Sequence, residues 1–322
     1  MLNYTDASEP GITRRKRGKN WQYIAPDGTR ILEPETVERL NKLAVPPAYE
    51  RVWYSADPLS HLQAIGYDAR GRKQYRYHAL FREEREGHKY DKCVDFGSSL
   101  PLVRERVAAD MERRGLPKEK VLAAVVRLLD QGHIRVGNEG YAKENDSYGA
   151  TTLQDGHGVI RGATVKLDYR GKSGKQQRVT INDRTLAGIV KRCQDLPGQQ
   201  LFQYVADDGE PRRVGSSDVN AYIQEAMGNE FSAKHFRTWG ASVIAFEMIV
   251  RTRTPLTLKA VLEPVAAALG NTPAISRKSY VHPKLLELVT SGQALELAGT
   301  PLPRPTKWLT NVERGLIGLL ET

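Results

Sequence analysis

The spacing of hydrophobic positions changes once along the chain, near Ala79. Before that point, short runs of aromatic and β-branched residues stand between turn residues, a strand signature. Trp21–Ala25 and Thr29–Leu32 flank Pro26-Asp27-Gly28 and read as a strand, a turn and a return strand. Pro34–Leu43 reads as a short helix, with proline at its start and acids in its first turn. Arg51–Tyr54 reads as a further strand, and His61–Asp68 with Arg72–His78 as a hairpin. Beyond Ala79 apolar residues recur three and four apart, the helical period. Leu100–Arg113, Lys118–Asp130, Arg184–Gln194, Asp218–Met227, Lys234–Arg251, Thr257–Leu269 and Asn311–Leu320 read as helices. One β excursion interrupts them: Thr164–Tyr169 and Gln177–Ile181 alternate and are joined by Arg170–Lys175. The expected fold is α+β. A small antiparallel β domain spans residues 1–90, and a larger, mainly helical domain with an inserted β-hairpin spans 91–322.

The length, 322 residues, allows two domains with separate cores. No run approaches the roughly 18 consecutive apolar residues of a membrane span. Met1–Pro10 lacks the basic and apolar regions of a secretory signal, so the expectation is a cytoplasmic protein with no membrane partner. Cys93 and Cys193 fit neither a disulfide framework nor a zinc motif. There is no His-Glu-x-x-His, no clustered carboxylate set and no phosphate-cradling Gly loop, so no metal and no cofactor is expected. Lysine and arginine number 48 against 38 acids, a net charge of +10, which favours a polyanionic partner without indicating a fold. The excess is dispersed in clusters at Arg14–Lys19, Arg70–Lys73 and Lys172–Lys175, each of which also reads as ordinary solvated surface.

Four segments, taken in order, change that picture. They are His133–Tyr141 with Lys143–Leu153, Arg170-Gly171-Lys172, Lys234–Ser242, and Leu269-Gly270-Asn271 followed nine residues later by Tyr280. Together they resemble the catalytic pattern of type IB DNA topoisomerases, in the poxvirus-like branch that also occurs in bacteria. Each motif is weak alone, since an isolated arginine, a lysine in a glycine-containing turn or an asparagine after a helix has a bland structural use. The resemblance implies a monomer acting on double-stranded DNA at the nucleoid. It assigns Arg135, Lys172, Arg237, Asn271 and Tyr280 to catalysis. A tyrosine recombinase, which shares this logic, is the alternative. Its N-terminal domain is usually helical, and it usually carries histidine where Lys234 stands.

The chemistry accounts for these residue types. Attack of a tyrosine oxygen on a phosphodiester builds negative charge on two non-bridging oxygens and on the leaving 5′ oxygen, and fixed donors must meet it. Arg135 and Arg237 suit the non-bridging oxygens, because guanidinium is planar, always charged and a forked donor. Lys172 suits protonation of the leaving 5′ oxygen. The same cations favour an ionised Tyr280. His235 reads as local packing or surface, and His282 as a weaker candidate base.

Gln74, Tyr75 and Tyr77 lie in a strand where the resemblance places DNA contacts, beside Arg70, Arg72 and Lys73. Alternation puts Tyr75 and Tyr77 on one face. Tyr141 and Lys234 also match family DNA contacts. Asn138 and Gly140 stand where poxvirus enzymes carry lysines, so sequence preference does not carry over. The charged link Arg82–Lys89 reads as a helix or hinge between two domains that clasp a duplex.

The family often has histidine where Asn271 stands, and an amide cannot titrate. The pH profile of cleavage should therefore have no limb near the histidine value of about 6.5 that is assignable to this position. Asn271→His should introduce one. A limb near that pH in the wild type that vanishes in Asn271→Ala contradicts this reading.

Overall fold

The structure, a computed structural model, describes residues 2–18, 20–69, 71–81 and 90–322. The expectation for the Arg82–Lys89 link, and those for Lys19 and Arg70 within their basic clusters, lie outside the described residues. The chain divides into two compact units, Met1–Lys89 and Tyr90–Thr322.

The first unit is a five-stranded antiparallel sheet in the order β2-β1-β3-β4-β5, with β1 at Ile12–Arg17, β2 at Asn20–Ile24, β3 at Glu50–Tyr54, β4 at Leu62–Tyr67 and β5 at Lys73–Tyr77. Helix α1, Pro34–Lys42, buries Leu40 in a core with Ile12, Tyr23, Val52, Tyr54 and Ala64. The expected partner of β2 is corrected. Thr29–Leu32 forms only an isolated bridge, Ile24 to Arg30, and β2 instead pairs with β1 from Thr13↔Ile24 to Arg17↔Asn20. The basic Arg14–Lys19 cluster therefore begins as a strand. Arg14 stacks on the Trp21 ring at 4.0 Å and donates to the carbonyls of Val45 (2.9 Å), Pro46 (2.6 Å) and Tyr49 (3.2 Å). Its charge serves the fold of this unit by filling acceptors that an apolar side chain would leave unpaired.

The second unit is mainly helical. Helix α2, Cys93–Met111, lies against α3, Lys118–Gly132, and α7, Ala233–Arg251. Gly97 of α2 is required by that packing, because a Cβ there would sit 2.2 Å from the Trp239 ring. Around them run α4 (Glu139–Asn145), α5 (Arg184–Gln194), α6 (Ser216–Met227), α8 (Leu258–Leu269), α9 (Pro273–Ser279), α10 (Pro283–Thr290) and α11 (Asn311–Glu321). The expected hairpin has a third strand: β6 (Gly158–Arg161) pairs with β7 (Thr164–Arg170), which pairs with β8 (Gln176–Asn182). A small hairpin of β9 (Gln203–Val205) and β10 (Pro211–Arg213) is separate. The short α4, α9 and α10 and strands β6, β9 and β10 escape the periodicity reading because three to eight residues give too few repeats of either period. Among the described residues no helix is long and apolar enough to cross a membrane.

The last helix is tied into the core by charge. Arg104 of α2 meets Asp130 of α3 at 2.8 Å and Glu313 of α11 at 2.7 Å, and Trp239 of α7 donates its indole N–H to Glu313 at 3.2 Å. Burial opposes ionisation of Glu313, but Arg104, the Thr310 amide and Trp239 overcome it and hold its pKa below the ordinary value. Removing one partner of such a buried set leaves an uncompensated charge. Glu313→Ala should destabilise the helical unit by about 3–5 kcal/mol in urea unfolding. A folded pKa below the unfolded one means Glu313's contribution is present above its ordinary range and is lost as pH falls through the folded value. A Glu313→Ala stability equal to wild type at neutral pH contradicts this.

Candidate active site

Helix α3 ends at His133, whose left-handed conformation (φ 49°) turns the chain out of the helix and into an extended segment. That segment carries Arg135. It is held against residues 149–152 by main-chain bonds from Ala150 N–H to Arg135 carbonyl (2.8 Å) and from Thr151 N–H to Val136 carbonyl (2.7 Å). The close approach needs glycine on both sides. A Cβ on Gly149 would lie 2.5 Å from the Gly137 nitrogen, and Gly137 itself has φ +100°. Asn138 then caps α4, accepting from the Tyr141 amide at 3.1 Å, and this sets Tyr141 on the first turn.

Arg237 sits in the second turn of α7 and is buried. Its guanidinium donates to two main-chain carbonyls, His133 through Nη1 and Leu269 through Nη2 (3.0 Å). His133 lies two residues before Arg135, and Leu269 lies two residues before Asn271. Arg135 closes the ring by donating from Nη2 to Asn271 Oδ1 at 2.9 Å. A guanidinium only donates, so the asparagine oxygen must face it, and Asn271 Nδ2 is left buried without an acceptor. Arg237 Nε is also buried and unpaired. Two orphaned donors in one site are costly unless an acceptor arrives, and the oxygens of a phosphate are such acceptors.

Tyr280 caps the C-terminus of α9, with its ring 4.9 Å from the Arg237 guanidinium carbon. Burial lowers the Arg237 pKa, the nearby Arg135 charge lowers it further, and Tyr280 opposes the shift. Lys172 stands on the tip between β7 and β8, a short 3-10 turn in which Ser173 is left-handed (φ 64°). Arg135, Lys172, Arg237 and Tyr280 line one cavity of about 330 Å³, with Tyr141 and Lys234 also in its wall. Asn271 is outside that lining and joins through Arg135. Gln74, Tyr75 and Tyr77 lie on β5 of the other unit. There the Tyr75 and Tyr77 rings stack at 6.0 Å on a shared face, with Tyr75 47% exposed, while Gln74 donates to Asp68 at 3.1 Å. Arg72, in the basic cluster beside that strand, is paired with Asp68 at 2.7 Å.

Three other tyrosines occur nearby, and their settings differ from that of Tyr280. Tyr169 is in the core, where burial pushes its phenol up to about 12. Tyr148, raised by burial and by Asp146, donates its hydroxyl to that carboxylate at 3.0 Å. Tyr141 lines the cavity but is 47% exposed. Both flanking histidines have structural uses. His235 is buried against Phe96 and Phe231 and is not a surface residue. His282 accepts from the Lys284 amide at 3.2 Å as the cap of α10, and burial and Lys284 lower its pKa. The carbonyls of His133 and Leu269 were not legible in the sequence, because any residue type supplies one. Ser147 and Tyr148, also in the wall, lie inside the matched Lys143–Leu153 segment but carried no assignment.

The family model described as "Eukaryotic DNA topoisomerase I, catalytic core" matches residues 78–292, and "Bacterial DNA topoisomerase IB, N-terminal domain" matches residues 20–68. A DNA topoisomerase 1B of Acanthamoeba polyphaga mimivirus is 38% identical over 292 residues, covering 86% of this chain and 87% of its own. The DNA topoisomerase 1B of vaccinia virus (strain Copenhagen) is 23% identical over 260 residues, covering 77% of this chain and 78% of its own. A solved XerH site-specific recombinase bound to difH substrate is 13% identical with a TM-score of 0.39, covering 60% of this chain and 52% of its own, too distant to bear on function. A β-rich first unit, a helical second unit and relatedness along most of the length lead to one family: the chain belongs to the type IB DNA topoisomerases.

Proposed function

We propose that Tyr280 is the nucleophile, and that Arg135, Arg237, Asn271 and Lys172 serve the transition state of its attack on duplex DNA. The tyrosine oxygen forms a bond to phosphorus as the bond from phosphorus to the 5′ oxygen breaks. The products are a 3′-phosphotyrosyl link and a free 5′-hydroxyl strand. Arg135 and Arg237 meet the charge on the non-bridging oxygens, and the spare Asn271 N–H₂ adds a neutral hydrogen bond. Lys172 gives a proton to the departing 5′ oxygen and takes it back on religation. Between these steps the cut strand rotates and supercoils relax. One phosphodiester is exchanged for another, so the bond energy is kept and ATP is not needed.

The observation that carries this reading is the convergence of Arg135, Lys172, Arg237 and Tyr280, from four separate elements, on one cavity. Lys234 and Tyr141 in the wall of that cavity, and Tyr75, Tyr77 and Gln74 on β5, serve as DNA contacts. The protein acts as a monomer, and backbone contacts of this kind make its binding salt-dependent. The antiparallel β unit supports a topoisomerase over a recombinase, whose N-terminal domain is usually helical.

Purified protein should relax supercoiled plasmid in EDTA without ATP, and Tyr280→Phe should abolish relaxation while leaving DNA binding intact. Relaxation that survives in Tyr280→Phe, or exchange products restricted to paired specific sites, contradicts the proposal. Lysine lacks the planar fork that reaches the His133 and Leu269 carbonyls from two separate nitrogens and still faces a phosphate, so Arg237→Lys should slow single-turnover cleavage by about 10²–10³-fold, the cost of losing one preorganised donor. An unchanged cleavage rate in that variant removes Arg237 from the transition state.

A further inference from the structure

Strand β8 alternates strictly, with Gln177, Val179 and Ile181 turned inward and Gln176, Arg178 and Thr180 outward. Two of the inward residues are apolar. The third is an amide, and Gln177 is nevertheless buried. A polar side chain in an inward row costs stability unless it is used.

Its surroundings indicate the use. The Gln177 side chain lies against Gly171, where a Cβ would come 2.7 Å from Gln177 Cγ. It also lies against Gly270, where a Cβ would come 1.8 Å from Gln177 Oε1. Gly171 immediately precedes Lys172, and Gly270 immediately precedes Asn271. Gly270 also caps α8 in the left-handed region, at φ +61°. The Gln177 amide donates to the Gly270 carbonyl at 3.4 Å, a long bond, so close packing carries most of the contact. Nearby, Lys175 and Gln176 of the hairpin and Gly270 and Asn271 of the turn line a second cavity of about 490 Å³. The junction between hairpin and turn is therefore no packed apolar interface.

We propose that Gln177 is a positioning residue that locks the Lys172 hairpin tip to the α8–α9 turn, fixing the proton donor relative to the phosphate-binding group of Arg135, Arg237 and Asn271. Glycine stands at 171 and 270 because both must admit this one side chain. Without the wedge, the tip keeps its own bonds, from Gly171 N–H to Lys175 carbonyl (2.8 Å) and from Tyr148 N–H to Arg170 carbonyl (2.8 Å), but loses its registration to the turn. The defect then falls on proton delivery to the leaving oxygen and spares charge stabilisation. The proposal rests on Lys172 acting as that donor.

The test compares single-turnover cleavage of two duplexes, one with the normal 5′ bridging oxygen at the scissile phosphate and one with sulfur there. A thiol, with a pKa of about 8.5, departs as thiolate without a proton, so sulfur removes the need for a general acid. Lys172→Ala should be slow on oxygen and restored on sulfur. Gln177→Ala should lose about 10- to 100-fold on oxygen, part of the ~10²–10⁴ a general acid supplies, and stay within about threefold of wild type on sulfur. Gln177→Met keeps the unbranched length and serves if the alanine variant does not fold, with the same oxygen-selective loss at smaller amplitude. Equal loss on both substrates, or no loss on either, overturns the role of Gln177. Failure of sulfur to restore Lys172→Ala overturns the donor assignment itself, and the proposal with it.

Discussion

The proposed attack on a phosphodiester needs positive charge held still, and two carbonyls hold the Arg237 guanidinium in place. Arg237 does not lie free in its cavity. Its guanidinium donates to the carbonyls of His133 and Leu269, at the ends of α3 and α8. Each of those helices delivers a further site residue two positions later, Arg135 and Asn271, and these bond to each other. One buried side chain thus sets the spacing of three groups. Rigidity of this kind is what electrostatic stabilisation requires, since donors that must reorganise during the reaction lose most of their value. The cost is visible in Arg237 Nε and Asn271 Nδ2, two donors that are buried without a partner.

The supports of that ring reach far along the chain. Asp130, three residues before His133, is joined through Arg104 to Glu313 in the last helix, and Glu313 also takes the Trp239 indole, two residues from Arg237. Residues 293–322 lie beyond the matched catalytic core, yet α11 packs into the same interior. The hairpin bearing Lys172 belongs to the three-stranded sheet, and it meets the turn that carries Asn271 where Gln177 lies between two glycines.

The long elements were legible in the sequence because amphipathic periods over ten or more residues leave little choice. The core helices from Arg184–Gln194 to Thr257–Leu269, and the β5 hairpin, fall where the pattern predicts. Strand β1 was not, because it is Ile-Thr-Arg-Arg-Lys-Arg, a composition that reads as solvated charge until Arg14 is seen capping main-chain carbonyls. The candidate site residues could be picked out of the sequence as an ordered set, but their coupling could not. No spacing rule announces that an asparagine gives its oxygen to Arg135 and keeps its N–H₂, or that a helix-ending histidine contributes its carbonyl. Gln177 did leave a trace, as the polar member of an apolar alternation.

In the proposed reaction one tyrosine of several near the arginines takes the phosphate. Trapping the protein in EDTA on a duplex whose cut strand ends just beyond the scissile bond lets the short leaving strand diffuse away. Peptide mapping of the adduct by mass spectrometry then locates the link. The expected result is a single modified residue, Tyr280, joined to a 3′ phosphate, with a free 5′-hydroxyl on the released strand. An adduct on Tyr141, Tyr148 or Tyr169, a link to a 5′ phosphate, or no adduct without metal would contradict it.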